Sequence, residues 1–371
     1  MKVLVLGGYG LFGAHISRKL AEDGDFEVIV AGRNVASAAQ LIASCGAAAS
    51  QMQAAAIDTT SRDFVARLQA LAPDIIIDAA GPFQARDLRV PRAALAVGAH
   101  CIDLADGRDH VQRIPSLDAD ARAANRLIVS GASSVPGLSA AVVAKFKPRF
   151  SRLRSVEAGI SPGNRTPRGL ATTEAILGYV GQPYSLRLNG RWQQVHGWQS
   201  LQKVVFEGVG ARWFARCEVP DLDVLPARWP ELERCDFRAG LELHRMHFGL
   251  WLVSWAVRFG VLRSLRPYAR LLLNISSHWL DAGSDTGVMY LDMRGTGQDG
   301  APLAVRWELI AQHGDGPHIP ATAAVVLARK LAAGNVSATG ARACLDLFTL
   351  DDYLEALGPL SIQSRWRELP H

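Results

Sequence analysis

Short apolar runs alternate with longer stretches of helical periodicity from the first residues to Ser130. Alanine-rich segments with helical spacing, such as Leu11–Glu22 and Val35–Ser44, separate the runs. Apolar strands that alternate with helices indicate a parallel sheet covered on both faces. The pattern predicts an α/β fold, a Rossmann-type doubly wound parallel sheet. The predicted strands are Lys2–Leu6, Phe26–Ala31, Gln53–Ile57, Asp74–Ala79, His100–Leu104 and Arg126–Ser130.

The pattern changes near residue 140, and all nine tryptophans lie after residue 190. Lys203–Phe206, Val288–Met293 and Leu303–Ile310 are typical of strands, and residues 297–300 are typical of a hairpin turn. An α+β second domain with an antiparallel sheet is therefore predicted. The predicted boundaries are 1–140 for the Rossmann domain, 141–316 for the α+β domain and 317–371 for C-terminal helices.

The first predicted strand runs directly into a glycine-rich loop that opens a helix. Gly8, Gly10 and Gly13 match the GxGxxG pattern of dinucleotide-binding proteins. Such glycines allow a tight turn, close approach to a pyrophosphate and close packing of helix on strand. We therefore expect the whole loop to bind a dinucleotide, including Tyr9, Leu11 and Phe12.

Two positions bear on the choice of nucleotide. Arg33 follows the second strand, where NAD-binding domains usually carry an acidic residue, so NADP is favoured over NAD. A solvated arginine at a strand end is the alternative. Asn34 lies beside it in the predicted cofactor site. Asp58, after the third strand, is placed to reach the adenine amino group, or else forms a turn before Thr59 and Thr60.

A loop of small residues follows the fourth strand. Such a loop would let the backbone lie against the cofactor near the nicotinamide, at the point where ligands bind in doubly wound sheets. An ordinary strand-to-helix turn is the alternative. The loop residues expected to contact the cofactor are Ala80, Gly81, Pro82 and Phe83.

Composition excludes several classes of protein. Charged residues make up 20% of the chain and hydrophobic residues 49%, which excludes intrinsic disorder. Five scattered cysteines form no metal or disulfide pattern, so no metal is expected, and a reducing, cytoplasmic location is predicted. The net charge of +5 is too small to indicate nucleic acid binding.

One segment, residues 243–280, carries five arginines and no acidic residue. Its middle, Phe248–Leu265, is apolar almost all round, with Trp251 and Trp255 one helical turn apart. Three explanations fit this pattern: a core helix with arginines at its edge, a substrate cleft or dimer contact, and a peripheral membrane contact.

Seven stretches that span most of the chain form an ordered set of motifs. They are Val3–Gly13, Ala31–Asn34, Asp78–Phe83, Cys101–Gly107, Ser130–Ser139, Gly283–Gly295 and Gly314–Ala324. Together they resemble the saccharopine dehydrogenase-like oxidoreductases. The resemblance implies an NADP-binding domain completed by the C-terminal helices, and an inserted α+β domain that forms the substrate cleft and often a dimer contact. A homodimer is therefore expected.

Hydride transfer to a C=N or C=O bond requires a proton donor, and a polar cluster follows the fifth strand. Asp103, Asp106 and His110 are the catalytic candidates there; a solvated, capped loop is the alternative. Substrate contacts are predicted for Ser133 and Ser134, which otherwise cap a helix. His318 would face the cleft in the family arrangement and is also a predicted substrate contact; a structural role is the alternative. Arg165 and Arg168 are the candidates for binding substrate carboxylates.

The predicted function is hydride transfer between NADP(H) and a small or lipid-like substrate with a C=N, C=O or activated C=C bond. An amino-acid dehydrogenase or reductase of the saccharopine or lysine type is the alternative within enzymes. A catalytically inactive NADP-binding sensor or a membrane-associated scaffold is the alternative of another class.

Overall fold

The computed structural model describes residues 1–167 and 169–370. The predicted Arg168 site therefore lies outside the described residues. The helices are α1 (Leu11–Glu22), α2 (Val35–Ala43), α3 (Phe64–Leu71), α4 (Arg89–Ala96), α5 (Arg108–Arg113), α6 (Asp118–Ala123), α7 (Ser139–Phe146), α8 (Leu170–Tyr179), α9 (Asp221–Arg228), α10 (His244–Arg258), α11 (Ala269–Ser277), α12 (His318–Ala332) and α13 (Leu350–Leu357).

The strands form two separate sheets. They are β1 (Lys2–Leu6), β2 (Glu27–Gly32), β3 (Met52–Ala56), β4 (Ile75–Asp78), β5 (His100–Asp103), β6 (Leu127–Ser130), β7 (Phe150–Ser161), β8 (Pro183–Leu188), β9 (Arg191–His196), β10 (Gln202–Phe206), β11 (Gly210–Arg216), β12 (Arg234–Ala239), β13 (Gly287–Gly297), β14 (Pro302–Ala311), β15 (Gly340–Ala343) and β16 (Ile362–Glu368).

The chain divides into two compact units. The first comprises residues 1–138 and 317–357, and the second comprises residues 139–316 and the chain from Gly358 onward. The prediction that 317–371 forms helices that complete the first domain is wrong in two places: β15 is a seventh strand of the first unit's sheet, and the last part of the chain belongs to the second unit. Strand β16 pairs antiparallel with β14 in the second unit, with Trp307 opposite Trp366.

The first unit is a doubly wound α/β domain. Its sheet has the order β15-β6-β5-β4-β1-β2-β3, and every pair of neighbours is parallel. The central strands are apolar because helices cover both faces of the sheet. The strand order reverses between β1 and β4, and a doubly wound sheet binds ligands at the carboxyl ends of the two strands at this point. The predicted Rossmann fold is confirmed.

A C-terminal helix joins this unit through a charged pair. Arg329 on α12 donates to both carboxylate oxygens of Asp23, which follows α1, at 2.7 and 2.6 Å. The alanine- and valine-rich middle of α12 is buried from Ala321 to Ala328. A helix from the other end of the chain thereby packs beside the helix that opens the glycine loop.

The second unit contains a sheet with the order β10-β11-β12-β7-β13-β14-β16, to which the β8–β9 hairpin is joined through β12. The predicted hairpin between β13 and β14 is present, and the Gly297 amide donates to the Ala301 carbonyl at 2.7 Å. The prediction of an antiparallel sheet is wrong in one respect. Strands β7 and β12 run parallel, because the connection between them crosses over instead of turning back as a hairpin.

The helices of the described ranges are all too short or too polar to cross a lipid bilayer.

Candidate active site

The loop after β1 is held in a tight backbone turn. The Gly8 amide donates to the carbonyl oxygens of Val5 and Ala31, each at 3.1 Å, and the Gly10 amide donates to Gly7 at 2.8 Å. A Cβ on Gly13 would lie 2.1 Å from the Gly7 carbonyl oxygen, which no other residue type can satisfy without a shift of the loop. Helix α1 therefore approaches β1 as closely as a pyrophosphate-binding turn requires.

The first turn of α1 presents backbone amides that can donate hydrogen bonds to an anion. Gly10 caps the helix without a side-chain hydrogen bond, and the first turn contains no acidic residue. Leu11 and Phe12, both half-buried, belong to this turn. A helix N-terminus of this kind attracts phosphate groups through its amides and its dipole. These features fit the pyrophosphate of a dinucleotide.

Tyr9 ties the glycine loop to the end of β2. Its hydroxyl oxygen accepts a hydrogen bond from the Asn34 amide at 3.0 Å. A Cβ on Gly32 would lie 2.5 Å from the Tyr9 ring, so a larger residue at position 32 would displace the Tyr9 side chain. Sequence reasoning assigned Tyr9 to the cofactor site and missed Gly32, which lies in the Ala31–Asn34 stretch.

Two of the three residues predicted to contact the adenosine half of the nucleotide, Asn34 and Asp58, form side-chain hydrogen bonds within the chain. The Asn34 carboxamide oxygen accepts from the amides of Ala36 and Ser37 and thus caps α2. Asp58 accepts from the Thr60 amide and hydroxyl at 2.8 and 2.7 Å, and these bonds lower the pKa of its carboxyl, with Arg33 and Arg89 adding to the effect. Among the described residues, none forms a hydrogen bond or ion pair with the exposed Arg33 guanidinium.

The loop after β4 meets the glycine loop at the strand-order reversal. A Cβ on Gly7 would lie 3.0 Å from Cα of Ala80. Gly81 and Pro82 follow, joined by a cis peptide bond. Phe83 is buried at the end of the loop. The two loops predicted to contact a cofactor are therefore adjacent.

A buried ion pair anchors this second loop. Arg86 lies 3.0 Å from Asp78 and also donates to the Ala80 carbonyl at 2.7 Å. Burial raises the pKa of the Asp78 carboxyl, although the Arg86 charge opposes the shift. Arg86 was missed by sequence reasoning; it lies shortly after the DAAGPF stretch.

Asp103, at the end of β5, is buried and its carboxylate is engaged on both oxygens. Oδ1 accepts from the Ala105 amide at 2.9 Å, the Gly131 amide at 3.0 Å and the Ser130 hydroxyl at 2.8 Å. Oδ2 lies 3.2 Å from Nε2 of His110. Asp103 thus holds the loops after β5 and β6 together.

His110 is buried on α5 with contacts at both ring nitrogens. Nδ1 lies 3.4 Å from the Arg86 carbonyl oxygen, opposite the nitrogen that contacts Asp103, and the Phe83 ring packs against the imidazole. Burial favours the neutral ring, but the hydrogen bond and charge of Asp103 outweigh it and raise the pKa of His110. A ring engaged on both sides positions the loops around it.

Asp106 differs from Asp103 and His110 because it is only half-buried. Its Oδ1 accepts a hydrogen bond from the Gln84 carboxamide at 3.1 Å. Burial raises the pKa of the Asp106 carboxyl, and the bond from Gln84 opposes that shift only in part. Its raised pKa and partial exposure suit a proton donor.

Ser133 and Ser134 lie in a buried turn beside the Asp103 cluster, and the Ala132 amide donates to the Asp103 carbonyl at 2.8 Å. His318 opens α12 and packs against His15 of α1, with 3.8 Å between ring centroids. Arg165 belongs to the second unit, where it donates to the Asp281 carbonyl at 3.3 Å.

Sequence reasoning also missed a carboxylate that organises two loops of the second unit. Glu242 accepts from the Asn164 amide at 2.6 Å and from the Ser284 amide and hydroxyl at 3.0 and 2.7 Å, and it pairs with Arg212 at 3.0 Å. These bonds lower the pKa of Glu242 although its partial burial opposes them. The GSDTG stretch that contains Ser284 was recognised as a motif, but its partner lies 42 residues earlier.

The fold and the glycine loop of the first unit define a dinucleotide-binding domain. Residues 3–129 match the family model of the saccharopine dehydrogenase NADP binding domain. The resemblance to the saccharopine dehydrogenase-like oxidoreductases is thereby confirmed, and with it the prediction of an NADP-binding, NAD(P)-dependent oxidoreductase.

Two solved structures are similar to the chain at low sequence identity, and the first of them shares its fold. Saccharopine dehydrogenase (L-Glu forming) from Saccharomyces cerevisiae is 13% identical, with a TM-score of 0.72 and complete coverage of both chains. An amine dehydrogenase from Mycobacterium smegmatis is 12% identical over 95% of each chain, with a TM-score of 0.47. No curated protein matches the sequence.

Gly13→Ala should weaken NADPH binding more than tenfold, because the added methyl group forces the start of α1 away from the Gly7 carbonyl oxygen. Fluorescence titration with NADPH measures the effect. The matched control is Gly178→Ala on α8, where an added Cβ meets nothing within 4 Å. NADPH affinity equal to that of the wild type in Gly13→Ala would contradict the assigned loop geometry.

His110 should make stability pH-dependent. Because its pKa in the folded protein is raised above the usual value near 6.5, its contribution is complete below that pH and is lost as the pH rises through the folded-state pKa. The Tm of the wild type should therefore fall more between about pH 6 and 8.5 than the Tm of His110→Gln. His313→Gln, on an exposed loop, serves as the control and should keep the wild-type slope.

Proposed function

We propose that the protein reduces or oxidises a small or lipid-like substrate by hydride transfer with NADP(H). The observation that carries the proposal is the junction of two loops at the strand-order reversal, where Gly7 meets Ala80 beside the buried Asp103–His110 pair. The loops that would bind the cofactor and the polar cluster that includes Asp106 lie at one edge of the sheet, where doubly wound domains act.

The residues divide into binding, positioning and proton-transfer roles. The glycine loop and the α1 N-terminus would hold the pyrophosphate, and Arg33 would pair with a 2′-phosphate. NADPH, when bound, supplies the hydride. Asp103 and His110 hold the loops in register, and Asp106 donates a proton to the oxygen, nitrogen or carbon that becomes negative.

Three arginines of the second unit already pair with carboxylates of the chain, Asp236 and Glu157, and this argues against their binding the carboxylates of a substrate. Arg216, Arg234 and Arg238 lie 3.2, 3.6 and 2.9 Å from the single carboxylate of Asp236. The homodimer and the cytoplasmic location stay predictions.

Arg33→Ala should weaken NADPH binding about tenfold or more and NADH binding less than twofold, because only NADPH carries the 2′-phosphate. Calorimetric titration of both nucleotides measures the difference. Lys19→Ala on α1, a partly exposed cation, is the control for general charge loss. Equal losses for the two nucleotides would refute the 2′-phosphate assignment.

Asp106→Asn should lower the rate of NADPH oxidation by about 100-fold while the affinity for NADPH stays constant, because an amide cannot donate the required proton. The assay uses a panel of ketones, imines and enones. In the wild type the rate of reduction should fall as the pH rises through the pKa of Asp106.

Asp109→Asn, an exposed residue of the same segment, is the matched control and should keep the wild-type rate. A full rate in Asp106→Asn would exclude it as the donor. Wild-type protein that binds NADPH and turns over no member of the panel would favour the inactive sensor.

A further inference from the structure

Helices α10 and α11 of the second unit, with the loop between them, expose large apolar side chains to solvent. Phe259 is 72% exposed and Val261 76% exposed, and Leu252 and Leu271 are more than half exposed. Single exposed apolar residues are ordinary, but a cluster within one short segment of sequence marks an interaction surface. We call these residues, together with the arginines of 243–280, the arginine-apolar face.

An apolar groove lies within this face, between α8, α10 and α11. It has a volume of about 500 Å³, and its walls include Leu250, Val253 and Leu272. The exposed side chains of Leu271 and Trp279 also line it, so the groove reaches the surface. Leu271 and Trp279 thus belong both to the groove and to the exposed apolar side chains of the face.

The charged groups of the face are almost all cations. The segment 243–280 contains no acidic residue, and each of its five arginines is exposed. Arg245 lies over the Trp279 ring at 4.7 Å, and Arg258 lies over Trp255 at 4.9 Å. One carboxylate, Glu174 of α8, lines a cavity together with Arg263, Arg266 and Arg270. The local charge is therefore strongly positive.

We propose that the arginine-apolar face docks on an anionic membrane surface. Exposed apolar side chains would enter the boundary between headgroups and acyl chains, while the arginines contact anionic headgroups and the tryptophans lie at headgroup level. The 15-residue α10 and the 9-residue α11 lie along such a surface and do not span it.

A second copy of the chain fits this face poorly. A twofold interface places the same patch on both sides, so five arginines of one copy would oppose five of the other. Like charges brought together away from water are costly, and Glu174 is the one carboxylate that lines the cavity beside three of them. An anionic lipid surface satisfies both the apolar and the charged parts of the face.

The test is cosedimentation of the full-length protein with vesicles. Binding should be strong to phosphatidylcholine vesicles containing about one third phosphatidylglycerol, weak to phosphatidylcholine alone and reduced in about 0.5 M NaCl. The combined variant Arg263→Gln, Arg266→Gln and Arg270→Gln should lose on the order of 100-fold in partitioning, about fivefold for each arginine.

Matched controls separate this face from the general surface. Arg62→Gln, Arg191→Gln and Arg294→Gln remove three exposed arginines elsewhere and should change partitioning less than the face variant. Phe259→Ser with Val261→Ser should reduce binding more than tenfold, whereas Val35→Ser with Val205→Ser should not. These are exposed positions, and circular dichroism will verify that each variant is folded.

Two results would overturn the proposal. One is equal binding of neutral and anionic vesicles, or equal binding by the face variant and its control. The other is the absence of vesicle binding together with a stable dimer that Phe259→Ser and Val261→Ser convert to monomer in light scattering, which would assign the face to a second copy.

Discussion

The approach of Gly13 to the Gly7 carbonyl oxygen is the constraint on which the first unit depends. With 2.1 Å available to a Cβ, α1 can lie against β1 only because position 13 has no side chain. That contact brings the helix N-terminus to the carboxyl end of the sheet, and Gly7 then meets Ala80 of the neighbouring loop. The proposed cofactor site is thus a consequence of backbone packing. Arg329 on Asp23 joins α12 to the same helix from the far end of the chain.

The polar residues beside this junction form a graded series. Asp103 is saturated with hydrogen bonds, His110 is engaged at both nitrogens, and Asp106 is half-buried with one bond from Gln84. A fully engaged group provides rigidity, while a partly exposed one can exchange a proton with a substrate. The two carboxyl groups and the imidazole are close in sequence, yet their different surroundings suit them to different roles.

Apolar strands and the glycine spacing were enough to predict the Rossmann sheet, because both follow from local periodicity and backbone sterics. The assignment of β16 to the second sheet could not be predicted, because it depends on pairing with β14, which lies before α12 and α13 in the chain. The same holds for Glu242 with Ser284, for Arg86 with Asp78 and for the capping role of Asn34. Residue type indicated that such groups were polar and near loops, but their partners are chosen by tertiary contacts.

The most direct measurement is a crystal structure with NADPH bound. The pyrophosphate should lie over Gly8–Gly13 at the N-terminus of α1, the 2′-phosphate within hydrogen-bond distance of Arg33, and the nicotinamide against Ala80–Phe83 with its C4 face toward Asp106. A pyrophosphate held elsewhere, or an Arg33 side chain directed away from the 2′-phosphate, would contradict the assigned cofactor site.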